Sequence, residues 1–464
     1  MNDQSEHIRW SEILNRQFGL TLFIICFGVT LHALDELVVA TMLPAMVKEL
    51  GGLDLVSWTV GVYEVGTVIF SAMSGLVTVR YGVRFPMLCS SICFGLGCII
   101  SALAQSMEVV LLGRLLQGFG GGGLLAVSFV ASAVLFPERT LARVMGLLSV
   151  FWGAAGFLGP MLGSLFVELY SWRVGFWGFG VSALLLTGLI FLKIEDKRML
   201  ETETAPDSYP IKRLLALTLG IFLIAAASMK ITSFFAPLFV AGGILCIAVF
   251  LALDAREEKN RMLPLRPLNL MEPMGSAVTM IFCLSAATVA LPIYGVLILT
   301  SMHDTSVLVA GYVIACSAIG WSLTTFLVSG LPERLDRPLI YWGMYIAVIG
   351  VAGYVYAVPN GPVSLVAFFA FIEGVGFGIA WAFIPRYVLH ISEPAEIERN
   401  TAALPTAQSI GYAVGAAFVG IVANWSGVAD GQIEGISYFS ATIIFLACVP
   451  VYLFGLFAIR VFVR

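Results

Sequence analysis

Two stretches, RLLQGFGGGG at residues 114–123 and FIEGVGFGIA at residues 371–380, align as copies of one glycine-rich pattern. The alignment sets Gln117 opposite Glu373 and keeps the glycines that follow them in register. Each stretch lies inside an apolar run long enough to cross roughly 30 Å of hydrocarbon. An internal repeat of this kind predicts two membrane-embedded bundles related by pseudo-symmetry.

The composition is that of an integral membrane protein. Of the 464 residues, 59% are hydrophobic and 12% are charged, whereas about a quarter of the residues in soluble domains are charged. The formal net charge is -4 and the basic residues are scattered, which gives no indication of a nucleic-acid partner. All eight cysteines lie in apolar stretches, and the four histidines are too far apart to form a metal-ligand cluster with them. We therefore expect no disulfide, no metal site and no cofactor.

Apolar runs of membrane-spanning length recur along the whole chain. We place fourteen, at about residues 18–46, 56–79, 85–106, 109–135, 142–168, 174–193, 212–229, 233–253, 274–300, 305–330, 338–357, 361–385, 401–424 and 436–460. The seventh run is the shortest. The two most charged connections, at residues 194–213 and 254–273, bracket the seventh and eighth runs. The plan is therefore six helices, two central helices and six helices.

This plan predicts an N-terminal six-helix bundle at residues 1–195, two linker helices with cytoplasmic loops at 196–270, and a C-terminal six-helix bundle at 271–464. Basic residues near helix ends are retained on the cytoplasmic side of a membrane. With the N-terminus inside, every lysine and arginine lies in a tail or at a cytoplasmic loop except Lys48, Arg114, Arg173 and Lys230. We predict a monomer in a bacterial inner membrane, with both termini in the cytoplasm.

Four carboxylates and one arginine fall within the predicted spans: Asp35, Glu36, Glu64, Glu373 and Arg114. A charge inside a spanning helix costs a few kcal/mol or more, so it usually lines a watery cavity that handles ions or substrate. A carboxylate in a low-dielectric cavity is easier to protonate, and a nearby arginine opposes that effect. A group whose proton affinity depends on water access and on a movable cation can load on one side and unload on the other. These residues predict a transporter.

Several motifs resemble those of the fourteen-helix drug:proton antiporter branch of the major facilitator superfamily. The segment LHALDELVVATMLP at residues 31–44 resembles the signature of the first helix, and W-R-x-x-F at residues 172–176 resembles the start of the sixth. Arg114, Gln117, Gly118 and Gly120 match R-x-x-Q-G-x-G of the fourth helix; Gly153, Gly156, Gly159, Pro160 and Gly163 match the antiporter motif of the fifth. The loop at residues 75–84 is similar to G-x-L-a-D-R-x-G-R-K, with Val79 in the acidic position.

The resemblance implies an all-α membrane protein with a major-facilitator-type fold, built from two pseudo-symmetric six-helix bundles and two extra central helices. It implies Asp35 as the proton carrier. Arg114, Glu36 and His32 are the other proton-coupling candidates, the last two because of their spacing from Asp35 along the helix. Motif residues expected to act in gating are Gly75, Arg80, Gly82, Arg84, Gly156, Gly159, Pro160 and Gly163, with Glu333 and Arg334 in the pseudo-symmetric loop at residues 329–337. A substrate cavity is expected to be lined by Glu64, Tyr63, Gln117, Glu373 and Trp381.

Several roles stay open at this point. His32 lies one helical turn before Asp35 and Glu36, so it either shares a proton with them or is simply packed and hydrogen-bonded. Asp35 is a proton carrier or one half of a static ion pair with Arg114. Glu64 contacts substrate, binds a second proton, or lies near the lipid headgroups.

The function that these features favour is proton-coupled secondary active transport, as an antiporter that exports small apolar or cationic organic compounds by alternating access. An alternative is a dedicated transporter, importing or exporting one metabolite, vitamin or siderophore. A membrane sensor or an enzyme is a remote alternative, because the chain offers no nucleophile and base pair, no ligand cluster and no soluble domain. The expected partners are a small-molecule substrate, protons and the lipid bilayer.

Overall fold

The structure, a computed structural model, describes residues 18–137, 140–194, 210–227, 235–257, 261–264, 266–328, 331–393, 396–428 and 436–462. Within these ranges the main elements are α-helices, with no strand. They are α1 (Gly19–Leu50), α2 (Trp58–Tyr81), α3 (Arg84–Ala102), α4 (Met107–Leu135), α5 (Leu141–Leu169), α6 (Trp172–Lys193), α7 (Ile211–Ala226), α8 (Ala236–Ala255), α9 (Pro273–Thr288), α10 (Ala290–Met302), α11 (Val307–Val328), α12 (Asp336–Asn360), α13 (Val363–Ile391), α14 (Ile397–Trp425) and α15 (Tyr438–Phe462). A helix pairs its backbone N–H and C=O groups with each other, and this suits a membrane because lipid tails offer these groups no hydrogen-bond partner.

Each of the fourteen predicted spans corresponds to a helical segment, so the predicted fold class is confirmed. Thirteen segments in the described ranges have the length and mean hydropathy to cross a membrane. The remaining helix is α7, which has 16 described residues. The span predicted at 274–300 is one membrane-length segment, Pro273–Met302, whose helix is interrupted at Val289 between α9 and α10. Pro292 explains the break, because its ring nitrogen cannot donate to the Thr288 carbonyl four residues earlier.

The glycine repeat packs in the same way in both halves of the chain. Gly118 of α4 lies against the backbone carbonyl of Tyr63 on α2, so closely that a Cβ atom would overlap it. Gly374 of α13 lies in the same manner against the carbonyl of Ser317 on α11. Glycines thus let the two backbones touch, as small residues do at membrane helix interfaces.

The next glycine of each copy faces a different helix. Gly120 of α4 abuts the backbone of Phe94 on α3, and Gly376 of α13 abuts the backbone of Ala347 on α12. Helices α2, α3 and α4 therefore correspond to α11, α12 and α13. The sequence repeat is a repeat of backbone packing.

The helices form two packed groups. Within the first, α4 packs on α2 and α3, α1 on α5, and α3 on α6; within the second, α13 packs on α11 and α12, and α9 on α14 and α15. Helices α7 and α8 pack on each other, joined by a buried ion pair of 2.6 Å between Arg213 and Asp254, and α7 also contacts α2 and α14. The predicted domain limits stay a prediction, and the limit at residue 195 lies outside the described ranges.

The two groups meet at the end of the molecule where residues 51–57 connect α1 to α2, which we call the α1–α2 end. There a Cβ atom on Gly61 of α2 would lie 3.7 Å from the Ala416 Cβ on α14. Asn424 at the end of α14 donates to the Asp54 carbonyl over 3.0 Å. These contacts join the first group to the second at this end, which the lysine and arginine distribution predicts to face away from the cytoplasm.

Candidate functional site

An ion pair between Asp35 of α1 and Arg114 of α4 lies at the centre of the first group. The Asp35 side chain is 0% exposed and that of Arg114 is 2% exposed. The Nη1 atom of Arg114 donates to Asp35 and also to Gln117 Oε1 over 2.7 Å, and its Nε atom donates to the Thr59 carbonyl over 3.1 Å. A buried guanidinium needs such partners, because removal of its anionic partner leaves a buried charge without compensation.

Only one of the two oxygens of the Asp35 carboxylate is hydrogen-bonded among the described residues. Oδ2 accepts from Arg114, whereas the buried Oδ1 atom has no hydrogen-bond partner among the described residues. A buried acceptor without a partner costs free energy. A proton or a solvent molecule at Oδ1 would remove that cost. The Asp35 carboxylate can therefore still accept a proton or one more hydrogen bond.

Tyr63 and His32 extend this cluster. The Arg114 guanidinium carbon lies 4.2 Å from the centre of the Tyr63 ring, an arrangement of the cation–π type. The Tyr63 hydroxyl hydrogen-bonds to His32 Nδ1 over 2.7 Å, and the His32 ring packs on Trp152 with centroids 5.6 Å apart. His32 is therefore packed and hydrogen-bonded, and its described hydrogen bond is to Tyr63 rather than to a carboxylate.

Glu36 and Glu64 form a second cluster beside the first. The side chains of Glu36 and Glu64 lie close enough to interact electrostatically, and Glu64 also lies near the side chain of Ser409 on α14. Two carboxyl groups can share a hydrogen bond only when one of them carries a proton, because an ionised carboxylate has no donor. Glu64 is buried, whereas Glu36 is half-buried. The cluster reaches from one helix group to the other.

An acid and an aromatic wall face the interior from the second group. Glu373 of α13 is buried and accepts a hydrogen bond from Ser317 of α11. One and two turns further along α13 lie Phe377 and Trp381, whose rings are stacked 5.7 Å apart, and Trp321 of α11 lies edge-on to Phe377 at 4.6 Å. Aromatic side chains in such arrangements bury large apolar areas, so this wall suits an apolar or aromatic ligand.

Tyr412 of α14 connects the acidic positions of the two groups. It is half-buried, lies within electrostatic reach of Glu36, Glu64 and Glu373, and accepts from Gln408 over 3.4 Å. Of the predicted cavity residues, Tyr63 and Gln117 thus belong to the Asp35 cluster, Glu64 to the Glu36 cluster, and Glu373 and Trp381 to the opposite wall. Glu36 and Glu64 lie within electrostatic reach of both Tyr63 and Tyr412.

The antiporter motif of α5 packs against neighbouring helices. A Cβ atom on Gly159 would meet Leu37 of α1 at 2.6 Å, and one on Gly163 would meet Thr41 of α1 at 2.8 Å. The other motif residues face α11: Gly156 adjoins Ala318, and Pro160 adjoins Gly311. This motif therefore lies on both the α1 contact and the contact between the two groups.

The loop residues lie apart from the interior clusters. Gly82, with a φ of 74°, ends α2, which contains Gly75 and Arg80. Arg84 begins α3, is half-buried, and donates to the Phe191 carbonyl over 2.5 Å.

In the pseudo-symmetric loop, Glu333 and Arg334 are exposed, and Glu333 lies 3.8 Å from His390. The buried acid of that loop is Asp336, 2% exposed, which pairs with Arg386 of α13. Sequence reasoning did not single out this pair. Its signal was available, since Asp336 is the acidic residue at the start of α12, the position that a helix dipole favours.

Comparison with known proteins identifies sequences that are similar to this chain. The profile of the Major Facilitator Superfamily matches residues 25–363. A probable multidrug-efflux transporter of Mycobacterium tuberculosis (strain CDC 1551 / Oshkosh) is 29% identical, over 90% of this chain and 90% of its own. The multidrug efflux pump SdrM of Staphylococcus aureus (strain N315) is 21% identical, over 86% of this chain and 89% of its own.

Solved structures share the fold. A bacterial homologue of the human lysosomal transporter Spinster aligns with a TM-score of 0.67 at 14% identity, covering 96% of this chain and 97% of its own. The nucleoside transporter NupG aligns with a TM-score of 0.66 at 14% identity, covering 96% of this chain and all of its own. The resemblance drawn from the motifs is confirmed.

Proposed function

This chain belongs to the Major Facilitator Superfamily, and we propose that it is a proton-coupled antiporter that exports small apolar or cationic organic compounds. Members of this family are transporters rather than enzymes, and the chain is a multi-pass membrane protein. Export is supported by relatives named as multidrug-efflux proteins over nearly their whole length. Proton coupling is supported by the interior carboxyl groups.

The observation that carries the proposal is the buried ion pair of Asp35 and Arg114 inside the first helix group, with Glu36 and Glu64 close to it. The positive charge of Arg114 compensates the negative charge of Asp35, whereas Glu36 and Glu64 lie next to each other. Rocking of the two groups would change the distance from Arg114 to Asp35 and the access of water to both. Because an adjacent cation favours the ionised carboxylate, separation from Arg114 would promote protonation of Asp35, and return of Arg114 would expel the proton.

The energy available is adequate for export. One proton entering across about 100 mV gains roughly 2.3 kcal/mol from the potential alone. For an uncharged compound exchanged for one proton, at about 1.4 kcal/mol per tenfold ratio, that supports a concentration ratio approaching fifty. Exporting a monovalent cation costs the same amount against the potential, so its one-for-one exchange is driven by the pH gradient. We place the protein in a bacterial inner membrane as a monomer, with both termini in the cytoplasm, on the distribution of its basic residues.

The test is accumulation of a fluorescent lipophilic cation in cells that express the protein. We expect wild-type cells to accumulate less dye than cells carrying an empty vector, and a protonophore to abolish the difference. Asp35→Asn should accumulate dye like the empty vector at equal expression. Equal protection by wild type and Asp35→Asn would exclude Asp35 as the coupling group, and protection that survives the protonophore would exclude proton coupling.

The alternative of a dedicated transporter predicts a different ligand profile. Thermal shifts of the purified protein with a panel of compounds separate the two functions. Modest shifts with many lipophilic cations support the exporter of several compounds. A single large shift with one hydroxylated or cationic metabolite would favour the dedicated transporter.

A further inference from the structure

Helices α7 and α8 form one tightly packed hairpin. A Cβ atom on Gly243 of α8 would lie 2.7 Å from the Gly220 carbonyl oxygen of α7, and one on Gly220 would lie 3.0 Å from the Gly243 carbonyl oxygen. The two backbones therefore touch, as small residues allow at membrane helix interfaces. The buried ion pair of Arg213 and Asp254 joins the same helices at the end opposite the α1–α2 end. Because separating a buried ion pair is strongly unfavourable, α7 and α8 move together.

Asp254 also holds the chain that continues from α8 to α9, which we call the return segment (residues 261–264 and 266–272). Its carboxylate accepts the backbone N–H of Met262 over 3.0 Å and that of Leu263 over 3.0 Å. Hydrogen bonds to an ionised carboxylate are stronger than those between neutral groups. One carboxylate therefore binds α7 through its arginine and the return segment through two amides.

The return segment is attached to the second helix group. Arg261 donates to Glu396, at the start of α14, over 3.3 Å, and the two side chains are 13% and 31% exposed. Asn269 packs on α9 so closely that a Cβ atom on Gly275 would lie 2.3 Å from its carbonyl oxygen. The hairpin is thus connected, through Asp254 and the return segment, to both α9 and α14.

Helix α7 covers the seam between the two helix groups on its lipid side. It packs on α2 of the first group and on α14 of the second, and these two helices also pack on each other. Leu217 and Ile221 of α7 are buried, whereas Leu215 and Leu219 are 63% and 51% exposed. One face of α7 therefore lies on the protein and the other, also apolar, suits lipid tails.

The contact of α7 with the first group differs in kind from its attachment to the second. The Phe222 ring meets the Trp58 ring of α2 edge-on, with centroids 5.4 Å apart. Lipid tails are as apolar as such side chains, so they can replace this contact at little cost. They cannot replace the partners of buried charges and backbone amides. The hairpin is therefore expected to follow the second group.

We propose that α7 and α8 form a lateral gate that the second helix group carries. When the α1–α2 end opens, α7 stays on α14 and separates from α2, so the seam between α2 and α7 opens toward the bilayer. Compounds with large apolar parts leave water for an apolar phase, and this seam gives them a direct route between the interior and the lipid. The inference rests on the proposed function in requiring that the two groups rock.

Two reducible cross-links test which group carries the hairpin. The first joins the return segment to α14 in the variant Arg261→Cys and Glu396→Cys. The second joins α2 to α7 in the variant Trp58→Cys and Phe222→Cys. Both variants lack the eight native cysteines and are treated with a short bifunctional thiosulfonate. Single-cysteine variants treated with the same reagent are the controls.

We expect the first cross-link to leave dye export at the rate of the untreated variant, because the joined parts move together. The second should stop export until reductant is added, and the single-cysteine controls should export throughout. Arrest by the first cross-link with export through the second would show that the hairpin moves with the first group, and would overturn the proposal. Arrest by both, or by neither, would overturn it as well.

A second measurement does not depend on export. Spin labels at exposed positions, Leu245 of α8, Phe457 of α15 and Leu185 of α6, give pairwise distances in purified protein, with and without tetraphenylphosphonium and at high and low pH. We expect the distance from Leu245 to Phe457 to stay constant while the distances from Leu185 to both change. A constant distance from Leu185 to Leu245 with a changing distance from Leu245 to Phe457 would overturn the gate. Three constant distances would contradict rocking, and with it the proposed function on which this inference rests.

Discussion

Neutralising Asp35 should destabilise the protein more than neutralising Arg114, although the two residues share one ion pair. Asp35→Asn leaves a guanidinium that is 2% exposed without its anion. Breaking a buried pair in this way costs about 3 to 5 kcal/mol. Gln117, the Thr59 carbonyl and the Tyr63 ring remain as partners, so we expect the low end, about 3 kcal/mol.

Arg114→Gln leaves a carboxylate that can take up a proton and become neutral, so we expect a loss of only about 1 to 2 kcal/mol. In the double variant both groups are neutral and neither charge is stranded. Its loss should therefore be smaller than the sum of the single losses by at least about 1.5 kcal/mol.

Equilibrium unfolding in mixed detergent micelles measures these free energies. The control cycle uses Glu49→Gln and Arg173→Gln, an ion pair at the α1–α2 end whose side chains are 49% and 27% exposed. For that exposed pair we expect a coupling of at most about 1 kcal/mol. Additive losses at Asp35 and Arg114, within about 0.5 kcal/mol, would refute the reasoning that the interior pair is dry and tightly coupled.

Three further sets of changes test the helix packing, the acidic residues of the loop before α12, and the α1–α2 end. Gly118→Ala and Gly374→Ala should each lower the unfolding free energy by about 1 to 3 kcal/mol through overpacking. The control is Gly188→Ala, whose Cβ would meet nothing within 4 Å and which should be neutral or stabilising. Equal effects of the three changes in thermal unfolding would contradict the backbone contacts. Asp336→Asn should cost about 1 to 2 kcal/mol because it removes the anion from Arg386, and Glu333→Gln less than about 0.5 kcal/mol; the reverse order in the same assay would show that Glu333 is the structural acid. Cysteines at Gly61 and Ala416, with Cβ atoms about 3.7 Å apart, should form a disulfide that stops export until reductant is added, while either single cysteine exports normally; unimpaired export by the cross-linked protein would mean that the α1–α2 end does not open.

The repeat and the interior charges could be predicted from the sequence because both have strong local signals. Glycines at matching positions are needed wherever two helix backbones touch, and Gly118 and Gly374 meet that need in both halves. Charged residues in long apolar runs are conspicuous, so Asp35 and Arg114 could be selected without a structure. Their pairing was one of two alternatives that the sequence left open, since an isolated charge in the membrane requires a partner.

The contacts between the helix groups could not be predicted in the same way. Ser409 and Tyr412 are neutral polar residues in an apolar helix, and sequence alone gives no reason to connect them with Glu64 or Glu36. Their proximity depends on how α14 is rotated and on how the two groups close at one end. Periodicity along a single helix carries no information about either.

The most direct test of interior carboxyl groups as coupling residues is proton-driven transport of tetraphenylphosphonium in proteoliposomes. With an imposed proton gradient, we expect wild type to move the cation against its concentration gradient, and a protonophore to stop this movement at once. Asp35→Asn should allow no gradient-driven transport, while Glu108→Gln should behave like wild type. Uphill transport by Asp35→Asn at the wild-type rate, or wild-type transport unaffected by the protonophore, would contradict the assignment.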